Sequence, residues 1–337
     1  HCVRAIDRAL EVGEGAHGLP LFGCGDWNDG MNRVGRGGKG ESVWMGFFLC
    51  AVLEDFAPLL ALRVDTARVE RYAAHRARLV SALETAGWDG GWYRRGYYDD
   101  GTPLGSKTSD ECQIDALAQS WSVLARVASP ERARTVLDAV ERELVSPMAG
   151  IVRLLAPPFV NSNHDPGYIQ GYVAGVRENG GQYTHAALWY ARALAEAGRR
   201  DQAVRALETL SPVSHTQSAA QVATYQVEPY VIAADVYGAE PHVGRGGWTW
   251  YTGSAGWMIR VTLESVLGLR EESGREYVVR PQVPDDWPSF RARLRRPDGT
   301  TYAFTVTNPS GCADAVVSAT LDGEPVRVVD GAARVPT

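Results

Sequence analysis

The sequence predicts a mainly α-helical chain that finishes in a small all-β unit, and three observations carry that reading. Roughly eight segments between residues 2 and 267 place apolar residues at helical spacing. Long loops at 13–41, 87–110, 146–183 and 238–253 recur between them. From about Gly274 the helical period gives way to short strand-like runs divided by Asp-Gly turns. Helical hairpins wound into a barrel place alternate loops at one end, where they converge on a cleft.

Taken in order, residues 2–12 read as the end of a helix, with Val3, Ile6, Leu10 and Val12 apolar. Residues 42–62 are apolar nearly all round (Val43, Trp44, Phe47, Phe48, Leu49, Val52, Leu53), which predicts a buried helix. Residues 66–85 are amphipathic, with Val69, Tyr72, Ala73, Val80 and Leu83 opposite arginines. Ile114, Leu117, Ala118, Trp121, Leu124 and Ala125 fit the next helix. Ser129-Pro130, a cap followed by a first-turn proline, starts another that runs to about Leu144. Helices are expected again over 184–198, 200–210, about 219–237 and 254–267. Strands are expected over 277–279, 302–307, 315–321 and 326–329, separated by Asp298-Gly299, Asp322-Gly323 and Asp330-Gly331 turns. The expected organisation is a helical unit over 1–272 and a sandwich-like or jelly-roll-like β unit over 273–337.

At 337 residues the chain has room for about two domains, and its 45% hydrophobic and 22% charged content is that of an ordinary soluble globular protein. Lys and Arg number 34 against 40 Asp and Glu, giving a net charge of −6, and they are scattered, so nucleic acid is not an expected partner. The longest apolar run, near Trp44 to Leu53, is shorter than the ~18 residues of a membrane span. Five widely spaced cysteines (Cys2, Cys24, Cys50, Cys112, Cys312), without a Cys-x-x-Cys pair, argue against a disulfide framework or a zinc site. The chain opens on His1, directly into a helical pattern, and reads as a piece of something longer.

The stretch Gly23-Cys24-Gly25-Asp26-Trp27-Asn28-Asp29-Gly30-Met31-Asn32 combines two carboxylates, a Trp, two carboxamides and glycines that forbid a regular helix. It reads either as a surface turn or as the acid-and-amide loop of a sugar-cleaving cleft. Trp27, Trp88, Trp92, Trp248 and Trp250 all lie in loops, where a flat ring can pack against a pyranose or plug a helix end. A second stretch, from Gly171 to His185, holds Tyr172, Arg177, Glu178 and a double glycine, and ends in a histidine at a helix start. A His beside free helix N–H groups can hold an anion, although a lone His there is commonly structural. In a third, Trp250-Tyr251-Thr252-Gly253-Ser254-Ala255-Gly256-Trp257, Thr252 and Gly253 precede a helix and form a nest of donors suited to phosphate, or simply a cap. No Gly-x-x-x-x-Gly-Lys-Ser/Thr is present, which disfavours nucleotide binding.

In that order, Gly-Asp-Trp-Asn-Asp-Gly-Met-Asn, Arg-Glu-Asn-Gly-Gly-Gln-Tyr-Thr-His and Trp-Tyr-Thr-Gly-Ser-Ala-Gly-Trp-Met resemble glycoside hydrolase family 94, which includes cellobiose, chitobiose and 1,2-β-oligoglucan phosphorylases. His17-Gly18-Leu19-Pro20-Leu21 before the loop and Met31-Asn32-Arg33-Val34-Gly35 within and after it are most similar to the phosphorylase region of cyclic β-1,2-glucan synthases. The resemblance implies the C-terminal part of an (α/α)6 barrel followed by a small β domain. It also implies inverting phosphorolysis of β-linked glucans, with β-1,2 linkage suggested by wording alone. Asp29 is then the proton donor and Asp26 a structural group or hydroxyl ligand. Trp27, Asn28, Tyr172, Arg177 and Glu178 match sugar-contacting positions, and His185, Thr252 and Gly253 match the phosphate site. No cofactor or metal is implied, inorganic phosphate being a co-substrate. The implied partners are a β-glucan oligosaccharide, phosphate, the preceding part of the same polypeptide and a second copy in a homodimer. The implied location is the cytoplasm, or a membrane reached through a parent synthase. Partial burial and a neighbouring negative charge are expected to keep Asp29 protonated. An inverting hydrolase with Asp29 as acid and Asp99, Asp100 or Glu178 as base is the rival enzyme. A non-catalytic glucan-binding remnant is the other alternative.

Overall fold

A computed structural model describes all of residues 1–337 as a helix-rich chain with several small sheets. Helix α1 spans Cys2–Val12, α2 Val43–Leu62, α3 Thr66–Thr85, α4 Ala116–Leu124, α5 Pro130–Glu143, α6 Thr184–Glu196, α7 Arg200–Leu210, α8 Ala219–Tyr225 and α9 Thr252–Arg260, the last running on into a π turn over Val261–Val266. The pairs α2 with α3, α4 with α5 and α6 with α7 pack as hairpins, and α2, α4, α6 and α9 each pack on the next. One row of helices is thus shared by three hairpins, with α3, α5 and α7 alongside.

Local chemistry accounts for the helix starts. Ser42 accepts the Met45 N–H at 3.0 Å, Asp115 the Leu117 N–H at 2.7 Å, and Ser129 the Arg132 N–H at 3.2 Å just ahead of Pro130. The main core lies between the hairpins and is rich in aromatic rings: Trp44 meets Trp121 at 6.2 Å, and Trp121 meets Trp189 at 5.1 Å, both edge to face. Helix α2 as a whole is longer than its densest apolar run. Its 20 residues, with a mean hydropathy of 1.8 over 18 of them, make it long and apolar enough to cross a membrane. In this fold Val43, Trp44, Phe47, Cys50 and Leu53 form its buried face, while Phe48, Leu59 and Leu62 are exposed, so the helix is not buried all round as its composition predicts.

Several boundaries differ from expectation. Helix α8 stops at Tyr225 and does not reach residue 237, because Gln226 takes a left-handed φ of 57° and Pro229 follows shortly. Residues 235–236 instead form a short strand against Gln182–Tyr183. Ile114 lies in a strand with Asp115, and the cap at Asp115 begins α4 one residue later. The 87–110 loop contains strands Gly96–Tyr97 and Pro103–Leu104, which pair with each other and, through the first, with Glu41–Ser42. All five cysteines are free.

After Gly268, strands Leu269–Glu272, Glu276–Val279, Ala332–Pro336 and Val328–Val329 form one antiparallel sheet in that spatial order. Ser289–Arg295 and Thr301–Thr307 form a long hairpin closed by the Asp298-Gly299 turn. The first of these strands was not expected, yet Phe290, Ala292 and Leu294 alternate with arginines at the period of two that marks a half-buried strand. Residues 315–321 give a strand only at Thr320–Leu321, paired across Asp322-Gly323 to Glu324–Pro325.

Candidate active site

The 23–32 loop is held from beneath by charge. Asp26 has no exposed side-chain surface, and the Arg95 guanidinium grips it with two parallel hydrogen bonds of 2.6 Å. Asp26 also accepts the Ser42 hydroxyl at 2.7 Å and the Asn28 N–H at 3.0 Å. Every contact of this carboxylate is internal, which makes it the structural member of the acid pair. Arg95 is placed by the strand that follows it, Gly96–Tyr97, and its Nε lies 3.2 Å from Asp115, itself fully enclosed. Two carboxylates therefore share one guanidinium. Burial pushes the Asp115 carboxyl up to about 6 against the pull of Arg95, while Asp26 and Asp115 hold the Arg95 charge in place against its own burial.

Asp29 opens a single 3₁₀ turn, Asp29–Met31, capped by the Asn28 side chain on the Gly30 N–H at 3.1 Å. Its carboxyl is exposed and makes no hydrogen bond, so the partial burial expected of it is not provided by this chain. Asn28 is buried, with one amide N–H group unpartnered. Gly30 is required by proximity: a Cβ there would lie 2.8 Å from the Cβ of Ile169. That contact joins the acid turn to a second 3₁₀ turn, Tyr168–Gly171, from the 146–183 loop. Asn32 completes the clasp by accepting the Tyr168 N–H at 3.1 Å.

The same second loop carries Tyr172, Arg177 and Glu178, all half-buried. Arg177 Nε donates to Glu178 at 3.2 Å, and its guanidinium lies 5.1 Å over the Tyr172 ring. The turn is fixed from below by buried Asn179, which bonds the backbone of both Tyr172 and Phe159. Tyr168, exposed and edge-on to Tyr172 at 6.1 Å, links the groups: its phenol is pushed up by burial, then by Asp29, Tyr172 and Glu178. Asp29 and the Tyr172–Glu178 group thus face one another across Tyr168.

The third group lies on the other side of Trp27. Half-buried Trp27 meets Tyr183 at 5.2 Å and His185 at 5.5 Å, both edge-on. His185 is in the first turn of α6, and a Cβ on Gly253, in the first turn of α9, would sit 3.4 Å from its Nδ1. Thr252 and Gly253 are exposed, and neither helix start carries a side-chain cap. First-turn N–H groups have no partner inside a helix, so the starts of α6 and α9 offer positive dipole ends and donors around His185, apart from the Thr184 N–H, which is taken by the Ala234 carbonyl. Burial alone lowers the His185 pKa to about 4, leaving a neutral ring whose Nε2 is buried without a partner. Of the eight sequence-derived positions around Asp29, Trp27 lies between two neighbouring groups into which the other seven fall, with Tyr168 linking Asp29 to the Tyr172–Glu178 group.

Of the three rival bases, Glu178 stays in the site, bonded to Arg177, and the other two lie apart from it in role. Asp99 accepts the N–H groups of Gly37, Lys39 and Gly40, and despite partial burial these keep its carboxyl below the usual range. Asp100 is bonded to the Thr102 N–H and to His164. Both are structural in this fold.

A profile of the glycosyl hydrolase 94 superfamily catalytic domain matches residues 1–268. The chain belongs to this family. Among curated family 94 relatives, it is 51% identical over 318 residues to the cyclic beta-(1,2)-glucan synthase NdvB of Rhizobium meliloti (strain 1021), covering 94% of this chain and 11% of that protein. It is 36% identical over 313 residues to the 3-O-beta-D-glucopyranosyl-beta-D-glucuronide phosphorylase of Paenibacillus borealis, covering 92% of this chain and 40% of that protein. The family 94 chain therefore spans 11% and 40% of the length of these two relatives. Among solved structures, a sialidase matches 99% of this chain and 30% of its own with a TM-score of 0.67 at 13% identity. The GH78 family rhamnosidase of Bacillus sp. GL1 matches 90% of this chain and 27% of its own with a TM-score of 0.58 at 17% identity. These two likenesses concern the fold alone.

Sequence patterns did not bring out Arg95, Asp115, Tyr168 or Asp235. Arg95 lies among Trp, Tyr and Asp residues in a loop whose pairing partner is more than fifty positions earlier, and no local pattern reports that. For Asp115 a usable sign existed, an acid immediately before a helical run.

Proposed function

We propose that the protein of which this chain is a part carries out inverting phosphorolysis of β-linked glucans, with β-1,2-glucooligosaccharides as substrates and α-glucose 1-phosphate as product. The observation that carries this is the pairing of one free carboxyl, Asp29, with an uncharged donor corner built from His185, Gly253 and two helix starts. In the step itself a phosphate oxygen forms a bond to the anomeric carbon. The glycosidic C–O bond breaks on the opposite face, and Asp29 gives its proton to the departing oxygen. A hydrolase needs a second carboxylate to activate water, whereas phosphate arrives as an anionic nucleophile. Of the three candidate bases, Asp99 and Asp100 are occupied by backbone donors and Glu178 is paired with Arg177, which favours phosphate over water. Tyr172, Arg177 and Glu178 bind sugar hydroxyls, Asn28 shapes the acid turn, and Trp27 flanks both sugar and phosphate. Thr252 adds a hydroxyl to the anion site. No cofactor is needed.

On this reading the helical hairpins are the later part of an (α/α)6 barrel. The strands after Gly268 then form a separate β unit, a division that begins a few residues before 273. The preceding part of the polypeptide closes the barrel and covers Asp29, which supplies the burial that the acid lacks here. Whether the parent is soluble or attached to a membrane follows from that missing part. Incubating the full-length parent with inorganic phosphate and a panel of β-linked glucobioses and oligoglucans tests the reading. Phosphate-dependent release of a sugar 1-phosphate is expected, and release of free reducing sugar at an equal rate without phosphate overturns it.

A further inference from the structure

Residues 234–236 run between the sugar-contacting turn and the start of α9, and their backbone is bonded on both sides. On one side Gln182 and Tyr183 pair with Val236 and Asp235, and the Thr184 N–H donates to the Ala234 carbonyl at 2.9 Å. On the other, the Ala234 N–H donates to Trp248 at 2.6 Å, and the Gly247 N–H to Asp235 at 2.8 Å. The first partner leads directly into His185, and the second leads on to Thr252 and Gly253. This short rib is where the second and third stretches meet.

Its one ionisable side chain, Asp235, is 1% exposed. One carboxylate oxygen accepts the Trp248 N–H at 3.0 Å, and the other is buried with no partner. Burial raises its pKa, the Trp248 N–H and the Arg177 charge pull it back, and Glu178 adds repulsion. Gly247 makes room for it, since a Cβ there would fall 2.6 Å from Oδ2. Arg177 beside it holds a left-handed φ of 51°, a conformation that persists only where the surroundings enforce it. A buried carboxylate with an open oxygen is unfavourable, and here it is bonded to the Trp248 backbone on one side and feels the Arg177 charge on the other.

We propose that Asp235 is a positioning residue that registers the Arg177–Glu178 turn against the Thr252–Gly253 helix start, so that sugar and anion are held at a fixed offset. The inference rests on the phosphorolysis reading. The carboxylate does this with two kinds of contact, a hydrogen bond to the Trp248 backbone and an attraction to Arg177. Asp235→Asn keeps the first, since an amide oxygen still accepts the Trp248 N–H, and replaces the second with a donor facing a cation. Gly247→Ala keeps the acid but takes its space.

The test uses the full-length parent with Asp235→Asn and Gly247→Ala, each checked for a wild-type thermal midpoint and circular dichroism. Two readouts are taken: binding of a β-1,2-linked glucooligosaccharide by calorimetry without phosphate, and KM for phosphate in phosphorolysis. Asp235→Asn is expected to weaken glucan binding about tenfold, the loss of roughly one charge-assisted contact, and to raise the phosphate KM by a similar factor because the Arg177 turn no longer keeps its offset from the α9 start. Gly247→Ala is expected to reproduce both. A residue that only supports folding lowers the amount of active protein and leaves both constants alone. Constants within about twofold of wild type in folded Asp235→Asn overturn the proposal, since that is under roughly half a kcal/mol. If the wild-type parent releases no sugar 1-phosphate, the phosphorolysis reading fails by itself, and glucan binding still decides for or against Asp235.

Discussion

Beneath the 23–32 loop, Asp26, Arg95 and Asp115 place three formal charges out of contact with solvent, whereas His185, on the far side of Trp27, owes its neutrality to burial with no charged neighbour contributing. The two corners of the proposed site are thus held by opposite means. On the acid side, buried ions fix the loop so that Asp29 can stand free, with no bond that a proton transfer must break. On the proposed anion side, helix starts and a neutral ring supply donors without a fixed cation, which suits a ligand that must arrive, react and leave as a product. A loop without regular structure needs strong, directional anchors, and a bidentate Arg–carboxylate pair is one. Helix starts are already rigid, and packing is enough there.

The sharpest way to break the comparison is to remove the free acid. Asp29→Asn in the full-length parent is expected to lower phosphorolysis by about 10²–10⁴-fold, the usual weight of a general acid, with the thermal midpoint unchanged because the carboxyl makes no internal bond. Retention of near-normal sugar 1-phosphate release would remove Asp29 from its role. Next in size is Arg95→Met, which leaves Asp26 and Asp115 buried and opposed. A loss of roughly 3–5 kcal/mol is expected in denaturant unfolding, against little change for the same substitution at a surface arginine. Gly30→Ala is a smaller perturbation. Its Cβ meets Ile169, and overpacking of about 1–3 kcal/mol is expected, with kcat falling because the acid turn shifts.

The smallest effect separates the corners by pH. Free histidine titrates near 6.5 and His185 near 4 in the fold, so between those values the unfolded chain binds a proton that the folded chain refuses. His185 therefore makes stability rise with pH across that window. Asp115 does the reverse: its carboxyl is raised from 3.8 to about 6, so the folded chain holds the extra proton and stability falls as pH rises through that range. The thermal midpoint of His185→Gln, followed from pH 4 to 6.5 (the window set by these shifts), is expected to lose the rising component and keep the falling one. An unaltered profile would show that His185 is not buried as a neutral ring. Inorganic phosphate is expected to draw the His185 pKa upward, visible in its ring resonances.

Much of this site was legible because its parts sit in short contiguous stretches. Asp26 to Asn32, Tyr172 to His185 and Trp250 to Trp257 each pair glycines with polar groups near a regular element, which local rules mark as candidates, while their joining into one site came from the family resemblance. What holds the stretches together was not legible. The Arg95 to Asp26 grip spans 69 positions and the Asn32 to Tyr168 bond 136, and nothing in the neighbourhood of either residue announces its partner. The fold divides the same way. Helices with strong periods were found, and the errors lie at 114, at 226–237 and at 289–295, where a cap, a left-handed residue and an arginine-rich strand override simple apolar spacing.

The Gly30–Ile169 contact and the Asn32–Tyr168 bond have a consequence for building hybrids. Gly30 accepts Ile169 only because it lacks a side chain, and Gly167 must likewise stay bare, since a Cβ there would fall 2.7 Å from the Gly30 carbonyl. The two loops are cut to each other's shape. Grafting either one alone from a relative with another acceptor preference brings an unmatched half into the cleft, so recombination across this site succeeds only when residues 23–32 and 160–180 travel together as a single exchangeable cassette.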